Sequence, residues 1–178
     1  FLSNSWPANN REALRREIDA LFDDPYETVY IPAGRSVLTV LGSQFNYFYS
    51  TMDDAQKRLL DACTRDYLER VMRLRPQFAN GLEGLAEGKI VPKEKQDLYK
   101  EALALVGQIL KGKYTATDGE ERIWVDNNHY VKINFASSGQ QEIVWILNLL
   151  VYYLLTDQPV FFIIEEPESN LFPESQKL

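Results

Sequence analysis

The sequence predicts an α/β fold that carries a helical insertion, and three observations support this. Short apolar or alternating segments typical of strands occur at 28–31, 113–135 and 160–164. Between them, residues 53–111 show the apolar spacing of helices. These residues carry 11 basic and 10 acidic side chains, whereas residues 112–178 carry 4 and 10. We therefore expect an α/β core formed by 1–52 and 112–178, with a helical insertion at 53–111.

The composition is that of a folded globular protein. The chain has 178 residues, of which 45% are hydrophobic and 25% charged, so disordered and collagen-like classes are excluded. One cysteine and one histidine exclude an internal disulfide and a His-rich metal site. The net charge of −7 argues against broad contact of the whole chain with a phosphate backbone.

The most apolar stretch, 143–164, is long enough to be compared with a membrane span. The polar residues 156–159 interrupt it, so a buried helix followed by a buried strand is the preferred interpretation. The N-terminus lacks the charged-then-apolar layout of a signal peptide. With a single cysteine as well, we expect a cytoplasmic protein that does not cross a membrane.

The predicted elements follow in order. A surface helix covers 9–23, a strand follows at 28–31, and a second helix covers 35–45. In the insertion, one helix runs from 53 to 75 and another from 93 to 111, with Gly112 as its stop. The apolar stripe of the 53–75 helix is Leu59, Leu60, Cys63, Tyr67, Val71 and Leu74. The inward side chains of the 93–111 helix are Leu98, Ala102, Leu105, Val106 and Ile109.

Two features of the 53–75 helix invite functional interpretations. Cys63 lies in the apolar stripe, so we expect a core residue rather than a nucleophile. The helix also carries a group of arginines: Arg65, Arg70, Arg73 and Arg75. Either these arginines contact DNA or a partner, or they belong to a solvated helix face. Acidic residues interspersed among them favour the solvated face.

The last third of the chain predicts three strands, a helix and a fourth strand. The strands cover 113–117, 121–125 and 129–135, and the helix covers 140–155. Alternation in the third strand places Val131, Ile133 and Phe135 on one face. The final strand, 160–164, has five apolar residues in succession, so we expect it to be buried on both faces, as in a parallel sheet.

Two carboxylates, Glu165 and Glu166, follow this last strand. Ligands of open α/β sheets bind beyond the C-terminal ends of strands. Adjacent residues of a strand point in opposite directions, so one carboxylate would reach a Mg²⁺ ion through its water shell and the other an attacking water. The alternative is an acidic loop after a buried strand, which the dipeptide alone favours.

A second candidate site lies upstream, in the small-residue loop 136–139. A helix begins there, and its free N–H groups and the hydroxyls of Ser137 and Ser138 suit an anion such as phosphate. The alternative is an ordinary N-cap, formed by Ser137 or Ser138 with Glu142 close to the capping-box position. The two roles are compatible.

Together the two segments resemble motifs of ABC-class ATPases. Residues 136–140, Ala-Ser-Ser-Gly-Gln, resemble the LSGGQ signature motif, and residues 160–166 resemble a Walker B strand with its catalytic glutamate. The similarity is closest to the OLD-like and RecF/SMC-like branch, in which SSG-x-x-E precedes EEPE-x-x-L-H-P. The matching residues here are 137–142 and 165–173. The resemblance implies a partial P-loop NTPase core of the ABC type.

The resemblance also implies roles for individual residues. The γ-phosphate of ATP held by a second protomer would be contacted by Ser137, Ser138, Gly139 and Gln140. The D-loop that crosses the dimer interface would comprise Ser169, Asn170 and Leu171. Glu165 takes the Mg²⁺ position and Glu166 that of the water-polarising carboxylate. Phe172 stands where many relatives have a histidine, and Glu165 where the class more often has aspartate.

Arg35 ends a strand-turn segment, 30–35, that many of these ATPases also carry. It either approaches a phosphate or a partner, or pairs with an acid and holds the turn. The second role is the favoured one.

Two family features are not found in these residues. The sequence contains no G-x-x-x-x-G-K-[ST] motif and no switch histidine after Leu171. Because the chain also starts at Phe1 without a methionine, we expect a fragment that does not hydrolyse ATP alone. The resemblance implies an ATP-driven homodimer in DNA processing or anti-phage defence, with a nucleic acid or nuclease partner. The alternative is a non-catalytic, nucleotide-dependent assembly module.

Overall fold

A computed structural model describes residues 26–36, 49–57, 60–87, 93–117, 119–171 and 173–177, together with isolated positions between 13 and 47. The predicted helices 9–23 and 35–45 fall largely outside these residues, as does Phe172. Within them the fold is mixed α/β, as the sequence predicts.

A two-stranded parallel sheet joins distant parts of the sequence. Strand β1 (Glu27–Ile31) pairs with β5 (Val160–Ile164), with Glu27 opposite Val160 and Ile31 opposite Ile164. The pairing continues past the strands, because Glu165 N–H donates to the Ile31 carbonyl at 3.0 Å. Both strands therefore end at the same edge, which brings the turn after β1 beside Glu165.

Only one face of this sheet is covered within the described part of the chain. Val29 and Ile31 are fully buried, and the ring of Phe162 packs edge-on against that of Tyr153, with 5.6 Å between the ring centroids. On the opposite face, Phe161 is 59% exposed and Ile163 42% exposed. The prediction that 160–164 is buried on both faces is therefore wrong for the outer face. The apolar run gave no sign of this, because an apolar residue can face either core or solvent.

The predicted helix 53–75 is broken into α1 (Asp54–Lys57) and α2 (Ala62–Leu74). Asp61 starts α2 by accepting a hydrogen bond from Thr64 N–H at 2.8 Å, which is a standard N-cap. Cys63 lies in the exposed first turn of α2, so its predicted place in the core is wrong. The buried face of α2 begins one turn later, at Tyr67 and Leu68.

A 3₁₀ turn (Arg75–Phe78), α3 (Gly81–Glu87) and a 3₁₀ turn (Lys93–Lys95) lead to α4 (Gln96–Leu110). Leu98, predicted to point inward, is half exposed, and its neighbour Tyr99 is buried instead. The left-handed residue that ends α4 is Lys111 rather than the predicted Gly112. Glycine is still needed at 112, since a Cβ there would lie 2.5 Å from the Trp124 carbonyl oxygen.

An antiparallel sheet follows, formed by β2 (Lys113–Thr117), β3 (Glu120–Trp124) and β4 (Tyr130–Lys132). The third predicted strand stops at Lys132, and Ile133–Phe135 form a 3₁₀ turn. Ile133 is buried while Phe135 is 81% exposed, so the predicted alternation fails at Phe135. The turn redirects the chain into α5 (Ser138–Thr156), which confirms the predicted helix at 140–155.

Helix α5 forms the centre of the core. Trp145 meets Phe78 and Tyr114 in edge-on contacts at 5.6 and 5.8 Å, which joins α5 to the 3₁₀ turn and to β2. One apolar cluster contains residues of all three predicted segments, and the division into core and insertion stays a prediction. No helix of the described residues is long and apolar enough to cross a membrane.

Two of the grouped arginines are buried in this core. Arg70 contacts Glu27 at 2.5 Å and Asp66 at 3.1 Å, and Arg75 lies 3.1 Å from Glu121. Burial raises the pKa of Glu121. This effect outweighs the lowering effects of Arg75 and of the hydrogen bonds from Tyr114 and Trp145. Neither proposed role of the group, a DNA contact or a solvated face, therefore holds for Arg70 and Arg75.

Candidate functional site

The C-terminal edge of the parallel sheet is organised around Arg35, whose side chain is fully buried. Its Nε donates to the Glu142 carbonyl at 2.9 Å. Its Nη1 donates to the carbonyls of Pro32 at 2.7 Å and Glu165 at 2.8 Å, and its Nη2 to that of Glu166 at 2.9 Å. Arg35 thus ties together the turn after β1, the exit of β5 and the start of α5.

Arg35 also forms a buried ion pair. Its Nε lies 3.5 Å from Oε2 of Glu142, the glutamate of the SSG-x-x-E pattern. That oxygen has no hydrogen-bond partner and is buried, so the arginine supplies the charge that offsets its desolvation. In the structure Arg35 therefore pairs with an acid and holds the turn.

Glu165 is held by two donors from the neighbouring strand and turn. The Tyr30 hydroxyl donates to Oε1, and Ala33 N–H donates to Oε2 at 3.0 Å. These hydrogen bonds lower the pKa of Glu165, and the one from Tyr30 has the larger effect. The carboxylate nevertheless lies at an exposed position. The same contact raises the pKa of Tyr30 to about 12. Glu165 is consequently an ionised and oriented carboxylate at neutral pH.

Tyr30 was not among the predicted site residues. The sequence points to Tyr30 only when the register of β1 against β5 is known. Tyr30 lies opposite Ile163, and its phenol is long enough to reach a carboxylate two residues beyond. A parallel pairing of 27–31 with 160–164 would therefore have pointed to it.

Glu166 occupies a strained turn. Its φ is 43°, in the left-handed region that non-glycine residues rarely adopt. Its carbonyl accepts from Arg35 and from Ser169 N–H at 3.1 Å, and these contacts hold the turn. The Glu166 carboxylate accepts a long hydrogen bond of 3.4 Å from the Ser169 hydroxyl and is exposed. Glu165 and Glu166 thus have different surroundings.

The upstream loop starts α5 with a closed capping box. Ser137 Oγ accepts from Gln140 N–H at 3.3 Å, and Gln140 Oε1 accepts from Ser137 N–H at 3.0 Å. The capping-box partner is Gln140, whereas Glu142, expected close to that position, pairs with Arg35 instead. Gln140 also donates from Nε2 to the Leu110 carbonyl at 2.6 Å, whereas Ser138 is exposed at the helix start.

Gly139 brings the two predicted loops into contact. A Cβ at Gly139 would lie 2.5 Å from the Asn170 carbonyl oxygen and 3.4 Å from the Leu171 side chain. Asn170 itself has a φ of 61°, and the Gln176 amide donates to the Leu171 carbonyl at 3.1 Å. The 137–140 loop and the 169–171 segment therefore pack directly against each other, which sequence spacing alone does not reveal.

Within the described residues, the carboxylates at this edge do not gather into a metal-binding cluster. Across the described positions, no group of three or more His, Cys, Asp or Glu side chains is arranged to hold a metal ion. A scan of protein-family models and searches of curated proteins and of solved structures each found no match to this chain.

Arg35→Met tests the central role of the guanidinium. Removing the guanidinium leaves the buried Glu142 carboxylate unpaired and takes one donor away from each of four carbonyl groups. We expect the free energy of unfolding to fall by about 3–5 kcal/mol. Urea denaturation measures this change. The matched variant Arg73→Met, at an exposed position of α2, should change stability by less than about 0.5 kcal/mol. Equal effects of the two variants would contradict the role of Arg35.

Tyr30→Phe tests the orientation of Glu165. Without the phenol donor, the pKa of Glu165 should rise toward its ordinary value, as measured by NMR titration of the carboxyl carbon. A depressed folded-state pKa gives stability that is present above the unfolded pKa and lost as pH falls. The variant should therefore lose less stability on acidification than the original chain.

The control is Tyr130→Phe, which removes a hydroxyl from the other sheet. It should leave the Glu165 titration unchanged. An unaltered Glu165 titration in Tyr30→Phe would show that the phenol does not set this pKa.

Proposed function

We propose that the chain is part of an ABC-class ATPase whose 137–140 loop contacts ATP bound to a second protomer. The observation that carries this proposal is the packing of Gly139 against Asn170. Together with Arg35, this packing collects the candidate signature loop, the 169–171 segment and both carboxylates at the C-terminal edge of a parallel sheet. Ligands of α/β sheets bind at that edge.

Glu165 suits the position beside Mg²⁺. Its pKa is lowered, it is exposed, and Tyr30 and Ala33 fix its orientation while lone pairs remain available. Such a carboxylate would hold the ion through its water shell, as Mg²⁺ is reluctant to lose its waters. The ion would neutralise charge on the transferred phosphoryl group.

Glu166 is the proposed water-polarising residue. Its carboxylate is exposed and has only a long hydrogen bond from Ser169, so it is able to accept a hydrogen bond from water. Arg35 fixes the backbone of both residues by donating to their carbonyls. The two carboxylates have different hydrogen-bond partners, Ala33 N–H for Glu165 and the Ser169 hydroxyl for Glu166. A positioned carboxylate of this kind acts as general base.

The proposal requires a Walker A motif, which residues 1–178 do not contain. It also includes an ATP-bridged homodimer. A role in DNA processing or anti-phage defence, a nucleic acid or nuclease partner and a cytoplasmic location are further proposals. They rest on the sequence and on the resemblance alone.

A second candidate function is a nucleotide-dependent assembly module that does not hydrolyse ATP. The closed capping box favours it, because Ser137 and Gln140 already satisfy each other and Gln140 is further engaged by Leu110. In this case the 137–140 loop would dock on nucleotide held by a second protomer, and the nucleotide would not be hydrolysed. The catalytic test separates the two functions.

Glu166→Gln in the full-length protein tests catalysis. Loss of the general base should slow ATP hydrolysis by about 100-fold or more, with ATP binding retained. Phosphate release and nucleotide affinity are measured side by side. Glu168→Gln, an exposed neighbour, is the control and should hydrolyse ATP normally. Equal hydrolysis by the original protein and Glu166→Gln contradicts the catalytic assignment, and no hydrolysis by either favours the assembly module.

Ser137→Asp tests the phosphate contact. Aspartate is as good an N-cap as serine, so α5 should remain intact. Its negative charge should repel the γ-phosphate and abolish ATP-dependent dimerisation, measured by light scattering. Ser137→Asn keeps the cap without the charge and should retain more dimer. Dimerisation of Ser137→Asp at the original ATP concentration would refute the role of this loop.

A further inference from the structure

A cavity of about 740 Å³ opens between α3, the end of α4 and the antiparallel sheet. Its lining includes Asn80, Gly107, Lys113, Trp124 and Asn127, and none of the candidate ATPase residues. Ligand sites have volumes of about 300–1,000 Å³, so this one accommodates a ligand of nucleoside size. We propose that the cavity binds a nucleobase, presented by a free nucleoside or by a single-stranded nucleic acid.

One wall of the cavity is an aromatic ring in a fixed orientation. The Trp124 indole donates from Nε1 to Thr115 Oγ1 at 3.0 Å, which sets the orientation of the ring. Its ring centroid lies 4.8 Å from that of Tyr130, and the Arg122 guanidinium lies 4.7 Å from the Tyr130 centroid on the same sheet face. An aromatic ring held in this way offers a stacking surface with little ordering left to do on binding, and any nucleobase can stack on it.

The lining also contains polar side chains that suit the edge of a base. Asn80 and Asn127 are exposed, and each side-chain amide offers both a donor and an acceptor, which matches the mixed edge of a base. At Gly107 the space is open, since a Cβ would meet no atom within 4 Å. A planar ring therefore has both room beside α4 and groups that can orient it.

The charged side chains of the lining already have partners within the protein. Lys113 pairs with Glu83 at 2.9 Å, and the Asp126 carboxylate accepts from the N–H groups of Asn128 and His129 at 2.8 Å. With two carboxylates and one lysine, the lining has no excess of positive charge. A neutral base suits such a lining better than a polyphosphate, so this site is distinct from the proposed ATP contact and does not depend on it.

Charged side chains on the sheet face beside the cavity affect how a single-stranded nucleic acid would bind. Arg122 and Lys132 lie opposite each other on the face of Trp124 and Tyr130, but both pair with Glu120, at 2.8 and 2.6 Å. Phosphates would gain few free cations there. Binding of a single strand should consequently depend on stacking and show only a weak dependence on salt.

The test is calorimetric titration of the intact protein with adenosine, guanosine, cytidine and uridine, and with an oligo(dA) strand. We expect at least one nucleoside to bind. Gly107→Leu fills the cavity with a side chain that favours the helix, and should weaken binding about ten-fold or more. Ala104→Leu makes the same kind of addition at an exposed position of α4 outside the lining, and should bind as the original does.

A second variant protects the result against misfolding. Trp124→Phe keeps a stacking ring and should retain part of the affinity, whereas Trp124→Leu should lose it. Tighter binding of oligo(dA) than of adenosine identifies a strand as the source of the base, and the reverse identifies a free nucleoside. Absence of binding by every nucleoside and by the strand, or equal affinities of Gly107→Leu and Ala104→Leu, overturns the proposal. Because nucleosides carry no phosphate, either outcome leaves the ATPase proposal to its own tests.

Discussion

The arrangement of the candidate site depends on one buried guanidinium. Arg35 donates to carbonyls of three separate segments, and it faces the carboxylate of Glu142 across 3.5 Å. Arginine is suited to this position because its planar fork carries five N–H donors and stays charged at any physiological pH. Lysine would offer a single nitrogen and could not span the same carbonyls. The parallel sheet, the start of α5 and the turn at Glu166 are therefore held as one unit.

Two kinds of residue lie close together at this edge of the sheet. Glu142 and Arg35 are buried and structural, while Glu165 and Glu166 are exposed and have polar groups left for solvent or ligand. Gly139 performs a third task, since its missing side chain lets the 137–140 loop touch Asn170. In this chain the 137–142 segment therefore contributes to packing, through the close contact at Gly139 and the buried pair of Glu142 with Arg35.

Sequence reasoning predicted those elements whose pattern is local. Helix α5 and strand β5 are strongly apolar and β1 contains β-branched and aromatic residues, and all three predicted elements are present. It failed where a helix cap or a tertiary partner overrides the apolar spacing. Asp61 restarts the helix and leaves Cys63 exposed, Lys111 rather than Gly112 ends α4, and the outer face of β5 is uncovered in the described part. At the site, the carboxylates were predicted, but Tyr30 required the strand register, and the Gly139 contact required the folded chain.

The backbone of Glu166 has a consequence for the engineering of this protein. A left-handed φ at a glutamate costs the fold on the order of 1 kcal/mol, a cost that asparagine or glycine would reduce. A selection for thermal stability alone would therefore tend to replace the very carboxylate proposed for catalysis. Persistence of glutamate in such a selection, carried out with and without a requirement for activity, would separate what the fold prefers at this position from what the chemistry demands.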